Sequence, residues 1–98
     1  MRDAERIREL EDVLGLSARM DELTRVMRIG IGTFDSPFGN ESAKRQNARE
    51  LLPLYEAEIF SVLDTAERYQ DIPSIKTAAE IMQKIYSEFA KSAKHYLE

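Results

Sequence analysis

The stretch VLGLSARMDELTRVMRIGIGTF, Val13 to Phe34, decides the fold. Val13, Leu16, Met20, Leu23, Met27, Gly30 and Phe34 recur at alternating intervals of three and four. That spacing puts them on one stripe of an α-helix, and no segment of the chain alternates in the manner of a strand. Gly15 is the ambiguous residue. Either one helix spans about residues 3–33 with Gly15 as a weak point, or Gly15 ends a first helix and Ser17 caps a second. Ile7, Leu10 and Leu14 carry a similar stripe upstream, and the single long helix is the preferred reading, because the stripe keeps phase across Gly15.

Two further stripes complete the architecture. Leu52, Tyr55, Ile59, Val62, Ala66 and Tyr69 form the second, with Asn40 or Ser42 as its cap and Pro53 expected to kink it or break it after Leu51. Ile75, Ala78, Met82, Ile85, Phe89, Ala93 and Tyr96 form the third, with Asp71 as the expected cap and Pro73 in the first turn. The connection around Asp71 is short, so the last two helices should form an antiparallel hairpin. The expected fold is all-α: an antiparallel three-helix bundle, or four helices if the first breaks at Gly15, over one domain covering residues 1–98.

Composition agrees with that class. The 98 residues are 43% hydrophobic and 33% charged, with four glycines and three prolines, the balance of a folded helical chain. No run approaches the roughly 20 apolar residues of a membrane span, and MRDAERIREL is too charged for a signal peptide. The expected compartment is the cytoplasm. The absence of cysteine removes disulfides, thiolate nucleophiles and cysteine-ligated metals. The net charge of −4 is spread along the chain, with nine Lys/Arg against ten Asp/Glu in residues 1–50. Nucleic acid is therefore a poor expectation as a general partner.

The stretch GIGTFDSPFGN, Gly30 to Asn40, is the one segment that resembles a loop site. Gly30-Ile31-Gly32 has no third glycine at the required spacing, no lysine in the place a P-loop needs and no strand before it, so it does not read as a phosphate cradle. A small residue at Gly30 instead lets another helix approach closely. Ser36-Pro37-Phe38-Gly39 matches a type I turn. Phe34 is in phase with the stripe, whereas Phe38 inside the turn is expected to be exposed or to cover the end of the core. Phe34, Phe38, Ile31 and Arg28 make the candidate partner-binding set.

Catalytic constellations are thin. His95 is the only histidine, and no acidic residue stands three positions before it as a helical di-metal site would need. Pairs such as Glu56 with Glu58 or Glu67 with Asp71 read as solvated faces. No metal and no cofactor is expected.

Two resemblances frame the alternatives. DVLGLSARMDELTRVM, Asp12 to Met27, resembles a helix-turn-helix with Gly15 in the turn and Arg19, Arg25 and Arg28 on a recognition helix. ARMDEL, QNARE and IMQKIYSEFAKSAKHYLE, in a chain of this length, are together distantly similar to the all-helical chorismate mutases. That resemblance implies that Arg19 and Arg49, with Glu50 beside it, face a dicarboxylate. Gly30 and Gly32 stand where that family has a lysine, and Ala93 or Lys94 where it has a glutamine, so the resemblance is one of fold.

The leading expectation is a non-enzymatic protein–protein interaction module: a helical regulator, adaptor, chaperone or immunity-type inhibitor. Leu51, Leu54, Phe60, Leu63, Ile81 and Tyr86 lie off the main stripes, and such a surplus either widens the core or forms an interface. A homo-oligomer, a homodimer in the simplest case, is its expected use. Leu23→Asp or Ile85→Asp is expected to unfold the chain, and a wild-type circular dichroism spectrum from either variant would sink the stripe assignment.

Overall fold

The computed structural model describes residues 2–97, and the side chains among them other than those of Arg2 and Ile7; the expectation for Ile7 lies outside that set. Three α-helices follow one another, α1 (Arg2–Asp35), α2 (Glu41–Ala66) and α3 (Pro73–His95). A single 3₁₀ turn, Glu67–Tyr69, follows α2. No strand occurs among the described residues, and no helix is long and apolar enough to cross a membrane.

The helix α1 is continuous through Gly15, so there is no fourth helix and no turn of the kind a helix-turn-helix needs. A β-carbon at Gly15 would meet nothing within 4 Å. That residue costs the helix only its propensity, about 1 kcal/mol, which the neighbouring turns absorb. Pro53 neither breaks nor ends α2. It removes the partner of the Arg49 carbonyl, but Arg49 and Pro53 are both exposed, and on the solvent side a freed carbonyl can turn to water.

Each helix end has a local cause. Asn40 caps α2, its Oδ1 accepting from Ser42 N at 2.7 Å and Ala43 N at 3.3 Å. Asp71 does not cap α3. Ile72 holds that position in extended conformation without a side-chain cap, as a residue before proline should, which leaves Asp71 one residue too early. Side-chain hydrogen bonds hold the Ser36–Gly39 segment. Ser36 Oγ accepts from Phe38 N at 3.2 Å, and the Ser36 carbonyl accepts from Lys44 Nζ at 2.6 Å. Gly39 has φ +105°, a conformation that favours glycine.

All three stripes meet in one core. Met20, Met27, Ile59, Ile75, Met82 and Phe89 are its largest fully buried side chains. The upstream stripe does not join it. Leu14 is 62% exposed while Leu16 is buried, because two residues along a helix lie about 200° apart. Val13 is the first residue of α1 to pack on the core, and the described side chains before it are exposed. The start of α1 thus runs on past its neighbours. The molecule measures 56 × 20 × 18 Å, with a radius of gyration of 16.1 Å against the ~13 Å of a compact chain this long.

At Gly30, α3 comes close to the backbone of α1. A β-carbon there would lie 2.7 Å from Cε2 of Phe89, a ring that is fully buried. Gly30→Ala should destabilise by about 1–3 kcal/mol despite the better helix former. Gly15→Ala and Gly32→Ala, which meet nothing within 4 Å, should instead stabilise by ~0.5–1 kcal/mol. Urea titration of the three variants checks the signs, and a stabilised Gly30→Ala would overturn the close approach.

Candidate functional site

The end of the molecule where α1 stops is held by side chains of all three helices. Phe34 is 3% exposed, with ring centroids 5.7 Å from Phe89 and 5.7 Å from Tyr96. The Tyr96 hydroxyl donates to the Phe34 carbonyl at 2.7 Å, and the Ser92 hydroxyl donates to Asp35 Oδ1 at 3.1 Å. Lys44 is the only buried charged residue among those described, at 7% exposure. Its ammonium binds the Ser36 carbonyl and lies 5.8 Å from the centre of the Tyr96 ring, within cation–π reach. The last turn of α1 contains no basic residue, so Lys44 supplies from α2 the cation that a helix C-terminus favours.

Beside this lock runs a groove between α1 and α2, the two helices that touch each other least. Val26, Ile29 and Thr33 line one wall, Asn47, Leu51 and Tyr55 the other, and the buried Phe34 reaches its floor, enclosing about 260 Å³. Ile29, Thr33 and Asn47 also border the adjoining depression beneath Phe38, so the two surfaces are continuous. Leu54 follows Leu51 by three residues on α2. Phe38 is 81% exposed, Ile29 63% and Leu54 54%. At the far end Arg19 forms an ion pair with Glu58 across the same two helices, in an exposed setting where such a pair is worth ~0–1 kcal/mol.

The partner-binding set of the sequence is not brought together. Phe38 is exposed at the tip of the turn, and Phe34 is core. Ile31 is half-buried on the α3 side, beside Ala90 and Lys91, and Arg28 is exposed near Thr77 and Ile81. Sequence reasoning passed over Ile29 and Val26 as site residues. Their signal was present in two apolar residues three apart and off the main stripe. The surplus of apolar residues divides: Leu51, Leu63 and Tyr86 are half-buried against the core, while Leu54, Phe60 and Ile81 are exposed.

The arginines do not converge. Arg19 is engaged with Glu58, and Arg49 is exposed on α2, with no bond to Arg19. Gly30 and Gly32 lie inside a helix. His95 is exposed, and its ring meets Tyr96 edge-on at 5.3 Å. No group of three acidic, histidine or cysteine side chains capable of holding a metal occurs among the described residues. Burial, and then the Glu56 carboxylate, push the Tyr86 hydroxyl above its ordinary value near 10.0, so that it is neutral at physiological pH.

Comparison with known proteins finds no family model, no curated protein and no solved structure that matches the chain.

Lys44→Met retains the alkyl packing and removes the ammonium from the Ser36 carbonyl. A loss of about 1–3 kcal/mol is expected by urea denaturation, and Tyr96→Phe should cost about 1 kcal/mol. An unchanged midpoint in Lys44→Met would mean that this residue does not secure the end of α1.

Proposed function

We propose that the chain is a three-helix bundle acting as a non-enzymatic protein–protein interaction module, a helical regulator, adaptor, chaperone or immunity-type inhibitor working in the cytoplasm. Its working surface is the α1–α2 groove, which accepts the apolar face of a helix from another protein. The observation that carries this reading is the apolar lining of the groove, where the exposed Ile29 faces the half-buried Leu51, with the exposed Phe38 on the adjoining depression and the exposed Leu54 one turn along α2. Isolated exposed leucines are ordinary, but apolar side chains lining a groove form a surface whose removal from water is favourable, at roughly 25 cal/mol per Å². An amphipathic helix fits such a groove through residues at three- and four-residue spacing. Phe38 at its end is the kind of aromatic that anchors an interface.

The tagged chain, incubated with lysate of its native host, should retain a specific protein. Leu54→Asp and Phe38→Ala should each lose it, at least tenfold by quantitative mass spectrometry, while keeping the wild-type circular dichroism spectrum. Both positions are exposed, so neither change should unfold the chain. Equal retention by both variants, or no specific capture by the wild type, would overturn the proposal.

A further inference from the structure

A second groove, between α2 and α3, is lined by different chemistry from the first. Phe60, Leu63 and Ala79 stand around the buried Ala66 and Ile75, and the space they enclose is about 480 Å³. Leu63 and Ala79 are half-buried, while Phe60 is 60% exposed. Asp64, Glu67 and Glu80 line the same space against one cation, Lys76, and all four are exposed. Its other polar side chains, Gln70 and Gln83, are neutral. Carboxylates flank the Phe60 ring at helical spacing, Glu56 one turn before it and Asp64 one turn after. Glu56 also lies near enough to α3 for its charge to act on the Tyr86 hydroxyl. The lining of the α1–α2 groove, by contrast, contains no charged residue.

We infer that the α2–α3 groove takes a basic amphipathic helix of a partner protein. Its charge selects the occupant. A wholly apolar segment would cover the ring of Phe60 and strip water from unpaired carboxylates, and an acidic one would add like charge. Lysine or arginine beside an apolar face does neither: the apolar side chains meet Phe60 and Leu63 while the cations meet Asp64, Glu67 and Glu80. An arginine can also lie over the exposed face of the Phe60 ring.

The shape agrees with a helix. From Phe60 to Glu67 the α2 wall runs two turns, about 10 Å, so two to three turns of the occupant are in contact. No residue of α1 borders the groove, although α1 packs on both α2 and α3. A helix seated here would pack on the same pair from a side that α1 leaves free, as in a four-helix arrangement. This surface is separate from the α1–α2 groove, and the charge of its partner goes beyond the reading proposed for that groove.

The probe is a synthetic peptide about four turns long, made of lysine and of leucine at three- and four-residue spacing, with one tryptophan. The chain has no tryptophan, so that fluorescence reports the peptide alone. The full chain should bind it, less tightly as salt is raised, and should bind the counterpart with glutamate for lysine at least about tenfold more weakly. Phe60→Ala, and Asp64→Lys combined with Glu80→Lys, should each cost about tenfold in affinity and keep the wild-type circular dichroism spectrum, all three positions being exposed. Glu9→Lys combined with Glu22→Lys makes the same change in net charge on α1, and at physiological ionic strength, where the Debye length is about 8 Å, should leave the affinity unchanged. No binding of the lysine peptide, equal binding of the two peptides, or an equal loss from the two charge reversals would overturn the proposal. So would a wild-type chain that sediments at twice 11.3 kDa and becomes a monomer in Phe60→Ala, because a second copy would then be the occupant. Phe38→Ala and Leu54→Asp should leave peptide binding unchanged, so failure here is distinguishable from failure of the α1–α2 groove.

Discussion

The ring of Phe89 lies where the β-carbon of residue 30 would stand, and the packing of the three helices follows from that contact. The glycine admits the ring into the surface of α1, and the ring also meets Phe34 and, edge-on at 5.2 Å, Tyr55 of α2. One aromatic side chain thus touches all three helices. With α3 drawn against α1 and packed also on α2, the contact between α1 and α2 is the lightest of the three. The open groove along Ile29 and Leu51 is the other side of that closeness.

The third helix was the most legible in the sequence. The residues of its stripe, Ile75, Ala78, Met82, Ile85, Phe89, Ala93 and Tyr96, keep one phase, and every one of them is buried or half-buried. The first helix was legible from Val13 onward and misleading before it. Leu10 and Leu14 have helical spacing, but spacing alone says which residues share a side, not which side meets the core. Two apolar faces on one helix make such stripes look like a single continuous one. The caps divide in the same way. Asn40 acts through its own side chain and could be read directly, whereas Asp71 depended on where Pro73 would set the first turn. Lys44 was invisible, because its burial depends on a carbonyl in one helix and a ring in another.

The groove was less legible than the fold for a related reason. It is composed of residues left over from the stripes, and the sequence shows such residues only as a surplus. Whether Leu51 widens the core and Leu54 remains outside is decided by how far α2 turns relative to α1. Ile29 borders both the groove and the depression beneath Phe38.

The turn that carries Phe38 is fixed from both sides. Its first carbonyl is held by Lys44, its Ser36 hydroxyl accepts from the Phe38 amide, and Asn40 closes it on the start of α2. A phenylalanine has two side-chain torsions. Contact at this tip therefore orders little that is not already ordered, and the conformational entropy surrendered on association is small for the area an aromatic ring can cover.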